Sequence, residues 1–201
     1  HYIVPEFKQN TEFKFANQKV VNEYKEAKAL GIETRPVIIG PVTFLKIGKA
    51  YDDSNALNLL SKVLPVYKEI ISALEAAGAT EIQIDEPYLI MDLDSETKEA
   101  YQTAYNDLRN ASSAKLNIAT YFGGLRDNTE LAVNLPVDSL HIDLVREPSQ
   151  LNDVLASLPS NKSLSIGVVD GRNIWKTNLN NAAQLVATAT NALGSDRVLV
   201  G

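Results

Sequence analysis

Short β-branched runs alternate with amphipathic segments along nearly the whole of this chain, and few folds accommodate that rhythm. Tyr2–Phe7, Val37–Leu45, Glu81–Asp85, Leu116–Phe122, Ser139–Val145, Leu164–Val169 and Arg197–Val200 read as strands. Between them, helices are expected at Lys19–Leu30, Asn55–Ala77, Ser95–Arg109, Asn128–Asn134, Pro148–Leu158 and Asn178–Leu193. Strand–helix alternation with short connections calls for parallel strands joined by right-handed crossovers. The fold class read from this pattern is α/β, a (β/α)8 barrel of the TIM type. The chain begins inside a strand and stops at Gly201 just after Val198-Leu199-Val200. The expectation is therefore an incomplete barrel whose first strands are missing, a single domain over 1–201 within a longer polypeptide.

Local signals place several boundaries. Leu59, Leu60, Val63, Leu64, Tyr67, Ile70, Ile71 and Leu74 recur at spacings of three and four, one apolar stripe of a helix. Pro65 falls inside it and should kink or divide it, because proline lacks the N–H that the helix ladder needs. Gly31, Gly78 and Gly194 stand where helices should stop, and Ser95 is the expected N-cap of the helix that follows it.

Composition excludes several classes of function. The net charge is −6 and no Lys/Arg cluster occurs, which argues against a nucleic-acid partner. No apolar run approaches the roughly eighteen residues of a membrane-spanning helix. Cysteine is absent, so disulfides, a thiolate nucleophile and thiolate-bound metal are excluded in this chain. The two histidines, His1 and His141, have no helical metal-ligand spacing, so no metal and no cofactor is expected here.

In a parallel barrel the strands' C-terminal ends share one face, where ligands bind. The residues gathered there are Thr43, Asp85, Glu86, Thr120, Tyr121, Asp143, Arg146, Asp170, Arg172 and Asn173. Asp85, Glu86, Asp143, Asp170, Arg172 and Asn173 are the candidate substrate-binding residues. Adjacent acids suit acid–base work, yet strand neighbours point to opposite sides, so only one of Asp85 and Glu86 can face the mouth. The structural alternative is that Asp85 caps a turn and Glu86 meets an arginine. Arg172 can grip a carboxylate or phosphate with its fork, or tie loops together through Asp143 or Asp170. Asp170-Gly171-Arg172-Asn173 reads as a turn with positive φ at Gly171. His141, between Leu140 and Ile142, reads as a hydrogen-bonded interior side chain, and Trp175 with Ile174 should pack beneath the rim. Gly40-Pro41 and Gly123-Gly124 place backbone N–H groups after strands, where an anion can be held. No catalytic set is recognisable.

Five strings carry a resemblance. They are His1–Phe7, Arg35-Pro36-Val37-Ile38-Ile39-Gly40-Pro41-Val42-Thr43-Phe44-Leu45, Gln83-Ile84-Asp85-Glu86-Pro87, Ala119-Thr120-Tyr121-Phe122-Gly123 and Val169-Asp170-Gly171-Arg172-Asn173-Ile174-Trp175. Together, and in this order, they resemble the N-terminal barrel of cobalamin-independent methionine synthases. The resemblance implies two face-to-face (β/α)8 barrels descended from a duplication. It also implies transfer of the methyl group of 5-methyltetrahydrofolate triglutamate to homocysteine, with a zinc ion in the C-terminal barrel activating the thiolate. The family's His-x-Cys zinc element falls on the strand equivalent to Ile118-Ala119-Thr120, so both ligands are replaced here. The counterpart of its glutamate ligand lies near Asp143, and that of its last cysteine lies beyond Gly201. Asp85 duplicates an aspartate that helps hold homocysteine in the catalytic barrel. The basic segments expected to hold the polyglutamate tail are not in this chain.

What the resemblance implies for this chain is a zinc-free, noncatalytic barrel that braces the C-terminal catalytic barrel and helps complete the folate site, in the cytoplasm. Two other readings stand beside it. One is an independent small-molecule enzyme of the uroporphyrinogen-decarboxylase type, which needs an arginine-rich pocket built from Arg35, Arg126, Arg146 and Arg172. The other is a purely structural domain. Unpaired sheet edges would make self-association an expected property of the piece.

Overall fold

The computed structural model describes residues 4–50 and 54–201. Six strands form one parallel sheet: β2 (Val37–Ile39), β4 (Glu81–Asp85), β5 (Lys115–Ala119), β6 (Ser139–Asp143), β7 (Ser163–Gly167) and β8 (Val198–Val200). Their spatial order repeats their chain order. A doubly wound sheet reverses order at a switch point, whereas a barrel never does. The sheet is thus an arc of barrel, with β2 and β8 as its two edges among the described residues. A short separate ladder joins β1 (Glu6–Phe7) to β3 (Lys49–Ala50). Of the strand expected over Tyr2–Phe7, the first residues lie outside the described ones.

Helices α1 (Lys19–Ala29), α2 (Pro41–Ile47), α3 (Leu60–Ala76), α4 (Ser95–Asn110), α5 (Thr129–Asn134), α6 (Gln150–Ser157) and α7 (Leu179–Leu193) supply the crossovers. The strands alternate with period two, and one face carries the apolar side chains. Ile82, Ile84, Leu116, Ile118, Leu140, Ile142, Leu164 and Ile166 are all completely buried on it. Tyr101, Leu108, Ile71 and Leu74 from α4 and α3 join the same core. Burying such a side chain stabilises the fold by about 1.5–3 kcal/mol. The opposite face is polar or small, with Asp85, Ala119, His141 and Ser165 in register across four strands. Branched aliphatic residues usually fill a barrel's interior.

Several boundaries differ from the sequence expectation, three of them around the helices. The strand over Val37–Leu45 ends at Ile39, and α2 begins at Pro41, because proline at the first helical position needs no N–H partner. Pro65 does not divide its helix. A short 3-10 turn (Ala56–Leu59) precedes α3, which then runs unbroken through Pro65. The carbonyl freed by Pro65 belongs to Ser61, which is exposed and can be hydrated. The N-cap of α4 is Asp94, not Ser95: its carboxylate accepts from the Thr97 N–H at 2.7 Å. Gly31, Gly78 and Gly194 all adopt positive φ at helix ends, as expected. Among the described residues no helix is long and apolar enough to cross a membrane.

A candidate site at the mouth of the arc

The Asp-Glu-Pro segment divides its two acids between the two faces of the sheet. Asp85, the last residue of β4, lies on the polar face, where its carboxylate accepts from Gln83 Nε2 at 2.8 Å and from the Tyr121 hydroxyl at 3.1 Å. Burial and the Asp85 charge push the Tyr121 phenol up to about 12, so it stays a proton donor. Glu86 turns the other way and is completely buried. Its carboxylate accepts from the backbone N–H of Val42 (3.3 Å) and Thr43 (2.8 Å) at the start of α2. It also accepts from the hydroxyls of Tyr101 (3.3 Å) and Tyr105 (2.9 Å) on α4. The arginine partner considered for Glu86 is replaced by these four donors. Burial raises its pKa to about 7 against the lowering effect of the hydrogen bonds.

Asp143 ends β6 and organises two loops. One oxygen accepts from the N–H groups of Val145 (3.0 Å) and Arg146 (2.9 Å), and the other from the Phe122 N–H at 3.0 Å. This explains why β6 stops at Asp143 and does not continue to Val145. Phe122 itself has φ +81, a left-handed backbone that is rare for an aromatic residue and marks local strain. The strand expected over Leu116–Phe122 runs instead from Lys115 to Ala119, three residues short of that turn. The Tyr121 and Phe122 rings meet edge to face at 4.6 Å, and the Arg172 guanidinium lies 3.8 Å above the Phe122 ring.

Asp170 holds its own turn. It accepts from the Arg172 N–H at 3.1 Å and from the Asn173 side chain, and these bonds keep its carboxyl below the usual range. Gly171 does not take the positive φ expected of it; the Asp170 hydrogen bonds shape the turn instead. Ile174 and Trp175 do not pack beneath the rim: they are 94% and 75% exposed. His141 Nδ1 sits 2.8 Å from the Ser165 hydroxyl, and burial lowers the imidazole pKa.

These groups surround a cleft of about 300 Å³, walled by Tyr121, Phe122, His141, Asp143, Arg146 and Arg172 among others. The structure thus brings Asp143, Asp170 and Arg172 together, with Asp85 joined to them through Tyr121. Asn173 reaches the same turn through Asp170, while Glu86 stands behind the sheet. Of the four arginines considered for a decarboxylase-like pocket, Arg146 and Arg172 converge. Arg35 pairs with Glu81 at the other end of β4 (2.8 Å), and Arg126 sits beside Met91 and Asp92. Sequence reasoning missed Gln83, Phe122 and the tyrosine pair around Glu86. The spacing of Tyr101 and Tyr105 on one helical face was the available signal for that pair. Among the described residues no group of three or more His, Cys, Asp or Glu comes together to hold a metal ion.

Residues 1–194 match the family described as cobalamin-independent synthase, N-terminal domain. A 5-methyltetrahydropteroyltriglutamate–homocysteine methyltransferase of Salinibacter ruber is 50% identical over 203 aligned residues, covering 100% of this chain and 26% of the relative. The enzyme of the same name from Saccharomyces cerevisiae is 47% identical, covering 100% of this chain and 27% of its own length. The chain therefore spans about a quarter of the curated relatives it matches. Among solved structures, a putative vitamin-B12-independent methionine synthase from Listeria monocytogenes superimposes with a TM-score of 0.74 at 16% identity, covering 96% of this chain and 64% of that one. A B12-independent methionine synthase from Shewanella sp. gives 0.71 at 14% identity, over 90% of this chain and 57% of the other. At those identities the likeness concerns the fold.

Proposed function

Since the chain belongs to the cobalamin-independent synthase family, as its N-terminal domain, we propose that it is the noncatalytic barrel of a methionine-forming methyltransferase. The parent transfers the methyl group of 5-methyltetrahydrofolate triglutamate to homocysteine. The observation that carries this reading is identity near 50% along the whole chain to relatives named for that reaction. In this proposal a C-terminal barrel carries the zinc and the chemistry, and the present domain braces it and helps complete the folate site. A cytoplasmic location follows from the same reading.

The chemistry of the mouth supports a binding role over a catalytic one. Asp143 and Asp170 are engaged with the backbone N–H groups of their own loops, and Asp85 is engaged with Gln83 and Tyr121. Carboxylates tied in this way fix loop shape and offer no free base. Asp85, Asp143, Asp170, Arg172 and Asn173 then shape the surface presented to substrate or to the second barrel. Glu86 supports them from behind by anchoring α2 and α4.

The test is methyl transfer by the 201-residue chain, run beside a protein restored with upstream strands and the second barrel. Activity confined to the restored protein is the expected result. Turnover by the 201-residue chain alone would overturn the noncatalytic assignment.

A further inference from the structure

We infer that the cleft between Phe122, Arg146 and Arg172 is a subsite for a compact anion, a carboxylate or a phosphate group, gripped by the two guanidinium groups. Two acids share this cleft with two arginines, yet they do not pair. Asp143 accepts from three backbone N–H groups, and Asp170 from one backbone N–H and the Asn173 amide. Among the described residues neither Arg146 nor Arg172 has a carboxylate within 4.0 Å, and neither guanidinium donates a hydrogen bond. Both arginine charges act on Asp170, yet the loop acids spend their hydrogen bonds on other donors, and among the described residues the N–H donors of the two exposed guanidinium groups meet no protein acceptor.

Arg172 is also pre-positioned. Its guanidinium lies 3.8 Å above the Phe122 ring, which leaves the donor-bearing edges open. Phe122 owes its place to a left-handed backbone held by Asp143. A guanidinium already ordered by stacking loses less freedom on binding and selects planar, two-oxygen partners. A Cβ on Gly167 would come within 2.9 Å of His141 Nε2, so glycine there leaves room for the imidazole in the wall of the same cleft. Because the carboxylates of Asp143 and Asp170 line the same cleft as the two arginines, its field is mixed, which favours one small anionic group over a long polyanion.

The inference rests on the mouth being a binding face, as proposed above, but not on methyl transfer, so the two fail separately. The probes are inorganic phosphate and glutarate, titrated into the 201-residue chain while the arginine Nε–Hε signals are followed by nitrogen-15 NMR. Saturable shifts confined to Arg146 and Arg172 are expected, and the probe that binds more tightly identifies the source as phosphate or carboxylate. Arg172→Gln should weaken binding at least about tenfold, the scale of one charged hydrogen bond, with the amide spectrum otherwise unchanged. Arg172→Lys should weaken it almost as much, because an ammonium has no fork. Shifts spread over all arginines without saturation, no shift with either probe, or wild-type affinity in Arg172→Lys would each overturn the inference. The wild-type titration decides the matter even if a variant fails to fold.

Discussion

A Cβ placed on Gly40 would lie 2.1 Å from the carboxyl carbon of Glu86. Gly40 has φ −74 and ψ 152, an ordinary extended backbone open to any residue. Its lack of a side chain is therefore a matter of space and not of conformation. The space admits a completely buried carboxylate to the first N–H groups of α2. Gly40→Ala should destabilise the chain by about 3 kcal/mol or more, since the obstacle is a fixed, four-fold hydrogen-bonded group. Chemical denaturation measures this; a loss under about 1 kcal/mol would show that Glu86 moves aside freely.

Glu86 predicts an unusual pH dependence. Its pKa rises from the ordinary 4.5 to about 7 in the folded chain, chiefly through burial. Between those values the folded state holds a proton that the unfolded state has lost. Stability from this group is thus full below pH 4.5 and declines as pH rises to about 7, by about 3 kcal/mol. Glu86→Gln should abolish that slope while lowering stability at acid pH, because an amide NH2 would face N–H donors. Denaturation midpoints of both proteins across this range provide the check, and parallel curves would refute the assignment.

His141 should titrate below 6.5, because burial disfavours the imidazolium despite the nearby Asp143 and Asp85. For a base with a lowered folded pKa, the unfolded state binds the proton first. Its contribution to stability is complete above pH 6.5 and is lost as pH falls below that value through the lower folded pKa. Imidazole NMR titration reads the shift directly. In Gly167→Ala the added methyl, 2.9 Å from Nε2, should displace the ring and move its pKa.

Replacing the N-cap of α4 separates two neighbours. Asp94→Ala should lower the denaturation midpoint measurably by removing the acceptor for the Thr97 N–H. Ser95→Ala should lower it far less, since Ser95 is already inside the helix. Equal losses in the two variants would contradict the cap assignment.

Much of the architecture was legible in the residues themselves. Period-two runs such as Glu81–Asp85 identified strands, three-and-four spacing identified α3, and Gly31, Gly78 and Gly194 ended helices at positive φ. The strings shared with the synthase family pointed to the N-terminal barrel, which the matched family bears out. These signals are local: a pleat, a helical turn and a missing Cβ act over a few residues.

The sequence by itself therefore determined the order of elements, the apolar face of each strand and the family. The site was decided by tertiary structure. The alternation of Ile82 and Ile84 puts Glu86, not Asp85, on the apolar side of their strand, but nothing within that strand says how a carboxylate can enter the core. Glu86 does so because Val42, Thr43, Tyr101 and Tyr105 arrive from two other elements with four donors. Arg172 keeps its fork open because Asp143, on another strand, pins the Phe122 backbone beneath it. A buried or ordered charge is tolerable only where distant donors or rings meet it, and that meeting is a property of the folded chain.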